Sequence, residues 1–346
     1  MRSFFLLGLL ASVVAAVSAA SLPKEVPMDV KHLYPEDGVY DKTRNLFYRS
    51  NLWRGRITVY DPRKKSHFNV HVPGVSSNGN GEQQMAGVSI SSYNKADRFF
   101  CVAKNKNDFN FGNQKPGPSS FHAFELPLKE SSKPIFQVYF EDVQKQFKQQ
   151  TGTRPFGPVD VTQDHDGNSY VAFALGIPAI AKISADGKQV TPWASEKSNG
   201  SQRPGYTGLQ FDPRSNRILA LGGPRPLTAF DVTQKNPKAQ PVQINGNFGT
   251  TDGTEKLTYV PVNGKSIMVA ARAPYAIAFH SDDNWKSASI KKTKNDQLKN
   301  NGFTAVVEYD VGRQKGLYAS SAYFSEGANG DRSSFPLIRM DASILY

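Results

Sequence analysis

A single cysteine, Cys101, stands in a chain of 346 residues, so no disulfide can form within it and the fold must rest on its own core. In the strand-like run Arg98-Phe99-Phe100-Cys101-Val102-Ala103 the thiol reads as a small buried core residue. Long apolar runs are equally scarce. One, Phe4 to Val17, lies between Arg2 and the small residues Ser18-Ala19-Ala20, and no second stretch approaches the ~20 residues of a membrane-spanning helix. Residues 1–20 therefore read as a secretory signal, and residues 21–346 as one secreted or wall-associated domain that does not span a membrane. Acidic residues are also few, 30 against 42 Lys and Arg, a formal net charge of +12. Neither a recognition helix nor an aromatic ribonucleoprotein signature accompanies that charge, so nucleic acid is excluded as partner. Anionic polysaccharides, anionic small molecules and acidic lipid head groups remain. No Gly-x-Ser-x-Gly elbow or His-Glu-x-x-His pair occurs. Asp164-His165-Asp166-Gly167-Asn168 lacks the distal glutamate of a calcium loop and reads as a hairpin turn. No catalytic residue and no cofactor is expected.

What the chain does contain is a repeat. Short apolar segments opening with small residues recur at Asp37, Ala86, Gly157, Tyr206, Gly253 and Gly302, spaced by 49, 71, 49, 47 and 49 residues on subtraction. A period near 50 built of β-like runs predicts an all-β, six-bladed propeller. In the first repeat the runs are Gly38 to Asp41, Leu46 to Ser50, Arg56 to Tyr60 and His67 to Val72, and in the fourth the last run is Pro241 to Ile244. The second repeat is lengthened by a Gly, Pro and Asn-rich insertion, Asn105 to Pro118. The sixth repeat is short of one strand, and Val26 to Leu33 is expected to supply it and close the ring.

In such a blade the loop leading into the innermost strand and the loop joining the second and third strands emerge on one face. Five arginines fall in these loops: Arg54, Arg154, Arg203, Arg225 and Arg272, four of them in or beside proline-containing stretches, with Tyr206 and Tyr275 nearby. Proline fixes the backbone, so these guanidinium groups are preorganised for carboxylate or phosphate. They are candidates for binding an anionic ligand, for instance a phosphoinositide-like head group. Equally open is a structural role, in which they pair with the channel carboxylates Glu36, Asp160, Asp252 and Glu255. Asn199-Gly200-Ser201 is a glycosylation sequon.

Two resemblances follow from longer stretches. Pro35-Glu36-Asp37-Gly38-Val39-Tyr40-Asp41, with Asn45 to Tyr48 and Ile57 to Asp61, resembles the first blade of the regucalcin and gluconolactonase family. That resemblance implies a divalent cation held by a glutamate, two asparagines and an aspartate. Glu36 and Asp252 match the carboxylates, whereas Val159 and Thr207 stand at the asparagine positions, so the ligand set for a cation-dependent lactonase is incomplete. The second resemblance covers almost all of the mature chain. Glu82-Gln83-Gln84-Met85, Arg154-Pro155-Phe156-Gly157, Asp166 to Gly176, Gln202 to Tyr206, Gly222-Gly223-Pro224-Arg225, Ala271 to Tyr275 and Asp283 to Ser287 resemble the secreted six-bladed β-propeller allergen family of Malassezia yeasts. More distantly, the chain is similar to the fungal trichothecene-cluster propeller proteins. The allergen resemblance implies a secreted, cell-wall-associated propeller bound by host IgE, and implies no reaction.

Overall fold

A computed structural model describes residues 21–91, 97–110, 114–198, 200–201, 203–311 and 314–346. The proposed signal segment and the sequon residue Asn199 lie outside these residues. Six sheets follow one another around a central axis, and the innermost strands neighbour each other in chain order, the last meeting the first. Those innermost strands are Gly38–Asp41, Gln83–Ser91, Phe156–Gln163, Tyr206–Asp212, Glu255–Val262 and Phe303–Glu308, in blades one to six. The expected propeller is the fold observed. Among the described residues no helix is long and apolar enough to cross a membrane.

The blades form because the chain alternates strands hidden on both faces with tight aspartate-headed turns. In blade three the second strand, Ser169–Leu175, is buried at every position. It sits between two sheets and so carries a continuous apolar run rather than an alternating one. The turn before it is held by Asp164, whose Oδ1 accepts the N–H groups of Asp166 and Asn168 at 3.0 and 2.9 Å. That turn is a hairpin, as expected. Asp41, Asp61, Asp212 and Asp231 head turns in the same way, the local chemistry that Asp favours. Six apolar clusters fill the interfaces between successive blades. Cys101 is fully buried in one of them, and burial pushes its thiol well above the ordinary range.

The innermost strands turn one free edge to the channel, and alternate junctions satisfy that edge differently. From blade one to two, Asp37 Oδ2 accepts the N–H of Val88 at 2.7 Å. From three to four, Asp160 Oδ2 accepts the N–H of Leu209 at 2.8 Å. From five to six, Thr258 Oγ1 donates to the carbonyl of Val306 at 2.7 Å. At two intervening junctions the backbones instead touch. A Cβ on Gly87 would lie 2.5 Å from the Val159 carbonyl oxygen, and one on Gly208 would lie 2.6 Å from Leu257 N, so both positions require glycine.

Three departures from expectation have physical causes. The closing strand is only Glu25–Val26, paired with Leu337–Met340 of blade six, because Pro27 has no N–H to continue the ladder. Residues Met28, Val30 and Leu33 still bury their side chains at the joint between blades six and one. The outer run of the fourth repeat divides. Gln240–Pro241 completes blade four, Val242 is buried, and Gln243–Asn245 crosses to blade five and pairs in parallel with Ser287–Lys294. An unanticipated α-helix, Glu141–Thr151, follows blade two and carries Glu141 and Asp142 in its first turn and Lys148 in its last, the charge order that favours a helix. It buries Val143 and Phe147 in the cluster around Phe173.

Candidate functional site at the upper channel mouth

Each innermost strand begins at one mouth of the channel, here the upper one. A cavity of about 520 Å³ opens there. Its charged lining consists of Glu36, Lys104, Lys106, Arg203 and Glu255, and its apolar walls include Trp53, Phe109, Phe303 and Phe324. Lys104 Nζ bonds both Glu36 carboxylate oxygens at 2.6 and 2.7 Å. Arg203 meets Glu255 through two parallel bonds of 2.8 and 3.0 Å, the fork geometry that suits a guanidinium. The Phe109 ring covers both cations, 4.3 Å from Lys104 Nζ and 5.6 Å from the Arg203 guanidinium carbon. Burial raises the Glu36 carboxyl above the ordinary range, against the pull of Lys104. The loop carrying Phe109 is pinned by Asp108, a buried side chain that accepts the N–H of Asn105 at 3.1 Å. Burial pushes that carboxyl up to about 7.

Of the loops named from sequence for their arginines, those of Arg54, Arg203 and Arg272 contribute lining residues and those of Arg154 and Arg225 contribute none, and the arginines themselves serve different ends. Arg203 alone of the five lines the cavity. Arg154 donates two bonds to Gln144 of the helix. Arg225 pairs with Glu196, which also accepts the hydroxyl of the fully buried Tyr206. Arg272 donates to the carbonyls of Phe248 and Thr250, and Arg54 to Asn78. Tyr275 opens the third strand of blade five and packs against the cluster between blades four and five.

Deeper in the channel lies a bridge that sequence reading missed. Lys256 Nζ, from blade five, reaches Asp37 of blade one at 2.7 Å, the Val88 carbonyl of blade two at 3.1 Å and Asp160 of blade three at 3.4 Å. Blade two is opposite blade five in a ring of six, so this side chain crosses the axis. Its position follows from a bulge. The pairing register shifts at Val159, Thr207, Lys256 and Thr304 in blades three to six, intervals of 48, 49 and 48 on subtraction, and a bulged residue leaves the ladder. Correspondence with Val159 and Thr207 therefore falls on Lys256 in blade five. Asp252, matched to that blade's metal ligand from sequence, instead sits exposed four residues earlier, outside the cavity lining. Asp160 belongs to this bridge rather than to the upper mouth. Burial works against the Lys256 ammonium, but Asp160 and Asp37 outweigh it and hold its pKa above the usual lysine value. Among the described residues no group of three or more His, Cys, Asp or Glu side chains is placed to hold a metal.

The family described as Mal s 1 allergenic protein-like matches residues 14–303. The chain belongs to that family. It is 57% identical over 333 residues to the major allergen Mal f 1 of Malassezia furfur, covering 96% of this chain and 95% of that one. The crystal structure of Mala s 1, the major Malassezia sympodialis allergen, superposes with a TM-score of 0.92 at 57% identity, covering 94% of this chain and 98% of that one. Trichothecene biosynthesis protein 14 of Trichoderma arundinaceum is 28% identical over 222 residues, 61% of this chain and 56% of its own length. A gluconolactonase from Xanthomonas campestris, at 9% identity and a TM-score of 0.52 over 91% of this chain and 88% of its own, shares the fold alone.

Proposed function

We propose that this Mal s 1-like propeller is a secreted, wall-associated and non-catalytic binding protein that takes an anionic small molecule or acidic lipid head group at its upper mouth. The observation that carries this reading is the cavity lining. Three cations face two carboxylates there, and Lys106, exposed at the rim, makes no ion pair among the described residues. The volume falls within the usual range for small-molecule sites, about 300–1,000 Å³. The aromatic walls, with Phe324 exposed at 41%, suit the apolar part of an amphiphile. Secretion is supported by the N-terminal segment and by the extracellular character of allergens, and host IgE is the partner that the relatives' allergen names suggest.

Binding of anionic vesicles is expected to weaken with salt, since exposed charges are screened over about 10 Å at 0.1 M. Arg203→Ala should reduce affinity by about 1.5–3 kcal/mol if a charge-assisted bond is lost. Arg225→Ala, which removes the Glu196 pair away from the cavity, should lower the melting temperature and leave affinity unchanged. Titration of neutral and anionic vesicles against the same variants checks this, and equal affinity for both vesicle types removes the head-group reading.

The lactonase alternative is disfavoured by ammonium groups at two places where that chemistry needs a metal. Lys104 occupies Glu36, and Lys256 stands in the bulge register. Purified protein is accordingly expected to hydrolyse no lactone in response to calcium or zinc. Turnover that requires either ion and vanishes in Glu36→Gln would reverse the assignment.

A further inference from the structure

Below the Lys256 bridge the channel opens again toward the opposite face, in a second cavity of about 240 Å³ lined by the later residues of all six innermost strands. We propose that this lower funnel is a separate binding site for a neutral polyhydroxylated molecule the size of one sugar ring.

Charge sets this funnel apart from the upper mouth. The charged lining residues are Lys42, Lys256 and Glu308, and each is already committed. Lys256 is held by Asp37 and Asp160. Lys42 bonds Glu308 at 3.0 Å and Asp310 at 2.9 Å, and Lys315 completes that cluster as its second cation. Two lysines thus face two carboxylates at the rim, so the funnel offers no surplus charge to an ion. This is the opposite of the upper mouth.

Its other polar groups include the hydroxyls and amides of Ser89, Thr162, Gln163, Gln210, Thr258 and Tyr259, from four different blades. Such groups both donate and accept, as sugar hydroxyls do. Several are engaged. Ser89 donates to Gln163 at 3.0 Å, Thr162 accepts the Phe211 N–H at 3.0 Å, and Thr258 caps Val306. Gln210 and Tyr259 are the exceptions. The Gln210 amide makes only a long 3.4 Å contact with the Phe211 carbonyl, and the Tyr259 hydroxyl has no hydrogen-bond partner among the described residues. Both side chains are only partly buried and line the funnel. The partly exposed Tyr40 and Tyr259 rings supply apolar faces for the C–H side of a sugar ring. A volume below the usual range of about 300–1,000 Å³ limits the occupant to one ring or a short polyol.

The test is saturation-transfer NMR on the full secreted chain with D-glucose, D-mannose and D-mannitol in turn, and with sodium gluconate as the charged counterpart. At least one neutral compound should bind more tightly than gluconate. Gln210→Leu should weaken it about tenfold, the effect of one unmade hydrogen bond, and Arg203→Ala in the upper mouth should leave it unchanged. Failure of all three neutral compounds, a preference for gluconate, or sensitivity to Arg203→Ala with none to Gln210→Leu would overturn the proposal. Should Gln210→Leu fail to fold, wild-type crystals soaked in the same three compounds decide. Density below Lys256 supports the site, and density confined to the upper mouth, or none, refutes it.

Discussion

Lys256→Met is expected to destabilise the protein by about 3–5 kcal/mol at neutral pH, since removing one partner of a buried ion cluster leaves uncompensated charge, and to make that loss strongly pH-dependent. In the wild type, burial raises the Asp160 carboxyl to about 7 from 3.8, with Lys256 pulling it down and Asp37 pushing it up. The folded state therefore holds a proton that the unfolded chain has released, so this carboxyl contributes stability as pH falls through that window and loses it as pH rises. Without the ammonium, Asp160 faces the Asp37 charge without relief and takes up its proton at higher pH, which extends the window upward. The variant should melt far below the wild type at alkaline pH and recover much of the difference at mildly acidic pH. Calorimetry across that range measures both curves. A wild-type melting temperature at alkaline pH, or a deficit that stays constant with pH, would show that the bridge does not hold the ring.

A chain starting at Tyr34 instead of Ser21 should yield no folded monomer. It lacks the closing strand and four apolar side chains that are at most 4% exposed, Val26, Met28, Val30 and Leu33. At about 1.5–3 kcal/mol each, their burial amounts to about 6–12 kcal/mol, comparable to the whole stability of a typical domain, about 5–15 kcal/mol. Shortening by two residues, to Pro23, should be mild by contrast. It removes the bond from Arg339 to the Leu22 carbonyl at 2.7 Å but spares the one from Tyr318 to the Pro23 carbonyl. Size-exclusion chromatography separates the outcomes, since an open blade six presents an unpaired edge and should associate. A monomeric product of the longer truncation with an unchanged melting temperature would mean that the ring closes elsewhere.

The architecture was legible because period, turn and strand signals agree throughout the chain, and a propeller needs all of them. The site was legible only in part. Asp37 and Asp160 stood in or beside the repeated segments, but Glu255-Lys256-Leu257 looks like any solvated Glu-Lys pair until a register shift places the lysine on the axis. The arginines drew attention by their proline neighbours, yet that stiffness serves the scaffold in Arg154 and Arg225, which hold Gln144 and Glu196. Phe109 and Phe324 stand in loops that join second to third strands, on the ligand-facing side, but nothing in the composition of those loops singles out either ring. The helix left a trace that was available, the spacing of Val143 and Phe147 within a polar run. The division of the run after blade four left none, because nothing local distinguishes Gln243 from Gln240.

The two kinds of contact between innermost strands differ in how much change they tolerate. After blades one, three and five a side chain caps a backbone group of the next innermost strand, and a cap can be exchanged for another side chain of similar reach and polarity. After blades two and four the backbone approaches within 2.5 and 2.6 Å of where a Cβ on Gly87 or Gly208 would stand, and no larger residue fits there. These two seams are therefore where the ring is least free to drift in sequence.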